Sequence, residues 1–508
     1  VAQPQPQNTD YFSSPVDKPN VIIPLVPSYN TRGIDAEDNV FTDLIDQRKI
    51  NCIYEVAQNS VSGKDTVYLV KRPGVADEGS SWGTSTQTAY LLEIAPGALA
   101  ISDANHWVVS KSSDDIRVSD TSTTTVVDST AGYAPAYIDK TLVGGSDTAV
   151  LQLRNASGTS KVYYSTTIGT WTQISDSDFT SLVLKGKMEF LHGYAFALTS
   201  TNRIYNSDLN SLSAWDSTNY IIKHIQQDIP TAMARLNNLV LAFGMSTLEV
   251  FHDVGNATGS PLESLAERAI TGTGVGAVDG TGQRHYYSVH NNILYFIGNS
   301  PTGLYAYNGE RIEKVSSTAV DKILASGNWY HVSTIQFSGK IGICIALDTV
   351  SATTQDALIF FPEWKDWFQW QSTVFQPVTA SRLGKTFLGL GGSSTGEKLY
   401  TISEATDNWQ DAGTNYTETV QFKIPTGGNH WQRMRMAGVI GDTARAASSL
   451  SVSFSDDDGQ TWKTARTIDM TGVTKRLMNC GAFRERQVRL THTGNEENRL
   501  ESFIARIE

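Results

Sequence analysis

From about residue 49 to residue 410 the chain is a succession of short apolar and aromatic runs separated by Gly, Asn, Asp and Ser. Examples are Val67-Tyr68-Leu69-Val70, Ala89-Tyr90-Leu91-Leu92, Lys161-Val162-Tyr163-Tyr164-Ser165, Tyr194-Ala195-Phe196-Ala197-Leu198, Arg203-Ile204-Tyr205 and Phe387-Leu388-Gly389-Leu390. Runs this short, closed off this often by turn residues, form strands and leave no length for a helical bundle. Only 18% of residues are charged, 10% are aromatic and 41 are glycine, which again favours strands with frequent turns. The 508 residues exceed what one core usually serves, so at least two domains are expected unless the fold is a propeller or repeat, and the expected class is all-β: a β-propeller or sandwich. At roughly 40 to 60 residues per blade the stretch would hold about six to eight blades. No repeat aligns by eye, which counts against blades of recent duplication.

The two ends have different texture. Residues 1–48 carry Pro4, Pro6, Pro15, Pro19, Pro24 and Pro27 among polar residues, the composition of an extended arm. Within it Val21, Ile22, Ile23, Leu25 and Val26 form apolar islands, which suit docking on a neighbouring subunit better than solvent; a solvated tail is the competing reading. Beyond about 411 the runs lengthen, as in Glu418–Ile424 and Ser449–Phe454, and read as a C-terminal β-sandwich-like domain. The expected division is therefore an arm over 1–48, a propeller over 49–410 and a C-terminal β-domain over 411–508. Two short helices are expected, at 261–269 with Ser260 as cap and at 317–325.

The stretch Asn291-Asn292-Ile293-Leu294-Tyr295-Phe296-Ile297-Gly298, then Gly303-Leu304-Tyr305-Ala306-Tyr307-Asn308-Gly309, is an aromatic hairpin. It feeds a helix in which Ser316 or Ser317 is the cap and Ala319, Val320, Ile323 and Leu324 share one face. This block resembles the packaged-DNA stabilisation, or tail-nozzle, proteins of short-tailed bacteriophages. Further segments are similar in the same order. They include Asn51 with Tyr68–Gly74, Leu239–Phe251 around Gly244-Met245-Ser246-Thr247, Leu358–Phe361 with Trp364–Trp370, and Phe483–Leu490 running to Ile504–Glu508. The resemblance spans about residues 49 to 508, and the order of the motifs carries its specificity.

The resemblance implies a virion protein made in the host cytoplasm, with six propeller blades and six copies in a ring. It implies an adaptor protein above, tail fibre, tailspike or needle proteins beside or below, and double-stranded DNA passing through the bore without sequence-specific binding. It implies neither catalytic residues nor a cofactor.

The net charge of −12 and a pI of about 5.3 argue against a free nucleic-acid binder, which would present excess Lys and Arg to phosphates. An acidic conduit would instead repel DNA and leave it mobile. Cys52, Cys344 and Cys480 are odd in number and far apart, so neither a disulfide framework nor a Cys-x-x-Cys metal site is indicated. No apolar run approaches the roughly 18 residues that span a bilayer, and Val1–Gln7 has no basic or apolar signal region, so a protein soluble when made is expected.

The sharpest local motif, Ser455-Asp456-Asp457-Asp458-Gly459-Gln460-Thr461-Trp462, matches the Asp-box pattern of sialidase-like propellers. Ser455 and Asp457 can accept turn amides, Gly459 can take a positive φ, and Trp462 can pin the returning strand to the core. The box occurs once, where a sialidase repeats it, so a structural turn is the expected role. A carbohydrate-binding or glycan-cleaving propeller is the alternative, and it would need two positioned carboxylates.

Other patterns fall away. Gly272–Gly280 lacks the third glycine of a dinucleotide loop, Ser246 is not in a nucleophile elbow, and His285 and His290 have no metal-site spacing. Asp114-Asp115 and Glu496-Glu497 read as solvated turns. One asymmetry survives: Arg433, Arg435, Arg445, Lys463, Arg466, Lys475, Arg476, Arg484, Arg486 and Arg489 make the C-terminal segment far more basic than the rest. Strand alternation would place Arg484 and Arg486 on one face and Arg489 on the other, either solvated or against an acidic subunit.

Overall fold

The structure is a computed structural model. It describes residues 20–26, 39–41, 47–57, 66–81, 87–92, 96, 106–120, 122–225, 228–256, 258–276, 286–326, 329–347, 355–374, 376–379, 387–389, 398–403, 408–425, 430–444 and 447–508. Most of the N-terminal arm, together with Arg445 and His285, lies outside these residues. The chain divides into two compact units, one of residues 73–406 and 411–413, the other of 1–72, 407–410 and 414–508.

The first unit is the propeller. Six runs of four consecutive antiparallel strands follow one another over residues 87–128, 133–173, 189–222, 230–264, 287–314 and 329–372, and in the fourth Ile270–Thr271 adds a fifth strand. A seventh is made by Gln376–Thr379, Phe387–Gly389 and Lys398–Ile402 and is completed by Val75–Ser81 from the start of the unit. The seventh sheet lies against the first, so the ring is closed by strands from both ends of the unit. Among the described residues the blade number is therefore seven, where the family resemblance favoured six. Val75–Ser81 and the last blade are too far apart in sequence for local periodicity to reveal that they share a sheet.

The strands of a blade are buried on both faces because each blade is covered by two neighbours. In Ser146–Asn155, Ala149, Leu151 and Leu153 pack against Trp107, Val109 and Ile116 of blade 1, while Val150 packs toward Phe190 and Trp215 of blade 3. Blade 3 repeats the arrangement, with Ala195 and Ala197 facing back and Phe196 and Leu198 facing Val240 and Phe251 of blade 4. This two-sided burial explains the near-continuous apolar runs of the sequence. Burying each such side chain contributes ~1.5 to 3 kcal/mol.

The expected hairpin and helix form. Ile293–Asn299 pairs with Thr302–Tyr307, and Asn291-Asn292 makes the preceding two-residue turn with φ of 46° and 59°, as a primed hairpin turn requires. Ser317 caps the helix Thr318–Ala325, and Val320 and Leu324 are its buried residues. The helix expected at 261–269 is replaced by the strand Leu262–Ser264 and one 3-10 turn, Ala266–Arg268. Leu262 and Ser264 pair with Asp253 and Phe251 to supply the fourth strand of blade 4, and that tertiary pairing overrides helix propensity. Ser177–Thr180, one helical turn capped by Asp176, was not expected from the sequence.

The second unit has two sheets. In one, Glu418–Lys423 lies between Arg48–Ile50 and Gln487–His492, followed by Ser449–Ser455 and Arg466–Asp469. In the other, Arg499–Ile507 pairs with Gln432–Gly441, which pairs with Arg476–Phe483. The opposite edge of Arg499–Ile507 is shared by Asn20–Pro24 and Thr66–Lys71. Phe422 and Phe503 meet edge to face between the sheets, with centroids 5.1 Å apart. Residues 48–71, read from sequence as the start of the propeller, thus pair within the C-terminal unit, and the propeller begins at residue 73. Cys52, Cys344 and Cys480 are buried free thiols.

Candidate functional site

A polar cluster occupies the propeller axis, where the first strands of the blades converge. Lys187 Nζ lies 2.5 Å from Asp139 of blade 2 and 3.8 Å from Glu189 of blade 3. Tyr287 of blade 5 donates its hydroxyl to Glu189, and Ser288 bonds Thr334 of blade 6 at 2.7 Å. Arg235 of blade 4 donates to the Phe190 carbonyl at 2.7 Å. Burial pushes the Glu189 carboxyl up, opposed by Lys187 and the Tyr287 hydroxyl. Burial and then the Glu189 charge push Tyr287 well up, so the phenol keeps the shared proton. The Tyr287–Glu189 bond joins blade 3 directly to blade 5.

The Asp box is a self-satisfied turn. Ser455 Oγ donates to Asp457 at 2.7 Å and accepts from Gly459 N at 2.9 Å, while Asp457 also accepts from the Thr461 amide at 2.9 Å and the Thr461 hydroxyl. The Thr461 hydroxyl, then Ser455 and the Thr461 amide, hold the Asp457 carboxyl down at about 2. Gly459 has φ 85°. Trp462 differs from expectation: it is half-buried, its indole N–H donates to Gly459 O at 3.1 Å, and Arg489 stacks 3.7 Å from its ring centroid. The ring is held by a cation from the next strand, which sequence spacing could not place.

The three arginines separate. Arg486 is fully buried, with Nε 2.7 Å from Asp456 Oδ1, Nη2 3.0 Å from Oδ2 and Nη1 donating to Cys480 O at 2.7 Å. It braces the fold and offers nothing to a partner. Arg489 covers Trp462. Only Arg484 is exposed, lying 5.0 Å from the ring centroid of Trp431. The alternation expected for Arg484 and Arg486 fails because the strand begins at Gln487.

The apolar islands of the arm are covered within this chain. Asn20–Pro24 pairs residue for residue with Arg506 to Ser502, and Ile22, Ile23 and Leu25 are at most 2% exposed; Val21 and Val26 are half-buried. The expectation that they dock on a neighbour gives way to a strand that completes the chain's own sheet. Sequence reading could not find its partner more than 470 residues away.

The remaining patterns are structural. Ser246 donates to Asp228, and Gly274 lies so close that a Cβ there would meet the Gly244 carbonyl at 2.2 Å. Asp114-Asp115 sits at a hairpin turn, and Glu497 pairs with Arg499. Sequence reading missed the axial cluster, the buried pair Lys223–Glu249 at 3.4 Å, and Trp431. Glu189 and Glu249 did leave a signal, a carboxylate inside an apolar strand. Among the described residues no group of three His, Cys, Asp or Glu could hold a metal ion, and no helix is long and apolar enough to cross a membrane.

Comparison with solved structures finds β-rich folds at low similarity. A BBS1N structure, solved in complex with ARL6DN, is 10% identical with TM-score 0.37, covering 67% of this chain and 100% of that one. BamB from Moraxella catarrhalis is 10% identical with TM-score 0.34, covering 66% and 100%. An exo-beta-1,3-galactanase from Phanerochaete chrysosporium, solved with beta-1,3-galactotriose, is 9% identical with TM-score 0.29, covering 73% and 96%. Such scores carry no functional argument. No curated protein matches. Residues 102–337, running from the second strand of blade 1 through the first strand of blade 6, match the family model described as bacteriophage P22 Gp10, beta-propeller. Over these residues, a little under half of the chain, the match supports membership of that phage-stabilisation family and a phage structural role.

Proposed function

We propose that the chain is the repeating subunit of a ring in a short-tailed phage tail, forming a nozzle that extends the DNA channel below portal and adaptor. The observation that carries this reading is the closed propeller axis. With Glu189 and Tyr287 bridged across it, a conduit for DNA has to be enclosed by several copies rather than by one. Closing a heterologous interface by rotation supplies such a bore, and the family resemblance favours six copies. The ring would retain packaged DNA and support fibre, tailspike or needle proteins. Its function is assembly geometry, with no covalent step.

Nothing favours a glycan site at the Asp box. Asp457 is spent on its own turn, and Arg489 occupies a face of Trp462. The test is negative-stain imaging of the full chain, alone and with a candidate adaptor. Closed rings are expected; monomers under both conditions, combined with retention on a glycan array, would reverse the assignment.

A further inference from the structure

Trp431 is 67% exposed. One contact does orient it: the exposed Arg484 guanidinium lies 5.0 Å from its ring centroid. Trp and Arg are among the residue types most enriched at the energetic centre of interfaces. Beside it runs Arg476–Phe483, the end strand of its sheet, with Met478 at 52% exposure.

The end strand is not built to accept another strand. Arg466 donates to the carbonyls of Met478 at 2.9 Å and Asn479 at 3.4 Å, and Arg486 to those of Cys480 at 2.7 Å and Ala482 at 3.4 Å. A partner would find these acceptors already used, so recognition here falls to side chains.

We propose that Trp431 and Arg484 form the anchor of a contact between copies, and that the occupant is the outer edge of a second copy's propeller. This rests on the ring reading above. Charge points to the occupant: residues 73–406 carry 30 Asp and Glu against 20 Lys and Arg, while residues 411–508 carry 12 against 13. The fourth strands of blades 3, 4 and 5 present exposed Asp216, Glu263 and Glu313. On the blade 3 strand Ile222 is 45% exposed and supplies apolar surface for an indole. Hydrogen bonds from the Thr218 amide and hydroxyl lower the Asp216 pKa, so that carboxylate stays charged for Arg484. A cation over an aromatic ring keeps its charge while shedding water, which lets both groups enter one interface.

The test uses the full chain in sedimentation velocity across a concentration series, with melting of the dilute monomer measured in parallel. Trp431→Ala is expected to leave the melt unchanged and raise the concentration needed for rings about tenfold or more. Trp431→Phe should recover part of the loss. Arg484→Glu should act similarly at low salt, and pairing it with Asp216→Arg should restore assembly. Photocrosslinking from position 431 should yield peptides containing 215–222, 262–268 or 310–314 of another copy. Rings that form normally in Trp431→Ala and Arg484→Glu, with no such crosslink, would overturn the anchor and leave the ring reading standing. A wild-type chain that stays monomeric throughout would remove both. Should Trp431→Ala lower the melt, the crosslink and the charge swap decide.

Discussion

Arg486 grips Asp456 through two parallel hydrogen bonds, Nε to Oδ1 at 2.7 Å and Nη2 to Oδ2 at 3.0 Å, with the guanidinium fully buried between the rings of Phe454 and Phe483. Burial alone would raise the Asp456 carboxyl, but Arg486 and Lys463 hold it below its ordinary range. The pair fastens the Asp-box turn to the end strand whose carbonyls Arg486 also occupies. Removing one partner of a buried pair leaves an uncompensated charge, which typically costs ~3 to 5 kcal/mol.

Asp456→Asn should therefore destabilise the full chain in urea by about that amount, less what water relieves at the partly exposed Asp456 side of the pair. Asp458→Asn, at an exposed carboxylate of the same turn, should change stability by less than about 0.5 kcal/mol. Equal effects of the two substitutions would show that the pair is not the fastening.

Glu418 predicts a pH dependence. It is 2% exposed, and burial raises its carboxyl from 4.5 to about 8, opposed by Lys71, Asn498 and Cys52. His492 is its ladder partner. Because the folded pKa is the higher one, the contribution to stability is complete below about pH 4.5 and is lost as pH rises toward 8. Glu418→Gln should flatten that limb and exceed the parent at pH 9 by at least about 1 kcal/mol. An unchanged slope between pH 5 and 9 would assign the dependence to another group.

Ile23→Ala should destabilise the isolated monomer by ~2 to 5 kcal/mol, because Ile23 is a buried side chain of a paired strand and not part of a free tail. Urea denaturation at a concentration below assembly is the measurement. Loss of assembly with unchanged monomer stability would instead favour docking of the arm on a neighbour.

Tyr287→Phe removes the hydroxyl that donates to Glu189 at the axis and should cost ~1 to 3 kcal/mol, since a buried acceptor loses its hydrogen bond and keeps only Lys187 at 3.8 Å. Ring formation should persist. Faster DNA leakage from particles with intact rings would mean that the axis, not the ring bore, conducts.

Trp462→Ala should cost less than a fully buried tryptophan would. The half-buried ring and its Arg489 stack support a loss of ~1 to 2 kcal/mol. A larger drop in urea stability would indicate a core role for the indole.

Much of this protein is written locally. The apolar runs bounded by turn residues specify strands, Asn291-Asn292 can take the positive φ of its turn, and Ser317 caps the helix that follows, because each depends on neighbours a few residues away. The Asp box likewise encodes its own turn, with Ser455, Asp457 and Thr461 satisfying one another. What periodicity could not supply was partnership across distance. Val75–Ser81 joins the last blade, Asn20–Pro24 finds Arg499–Ile507, and Leu262–Ser264 becomes a strand because blade 4 lacked one. The arginines make the point most sharply: Arg484, Arg486 and Arg489 read alike in sequence, yet one is exposed on Trp431, one buried on Asp456 and one stacked on Trp462. A charge acquires its role from the dielectric and the partners around it, and only the folded chain brings those together.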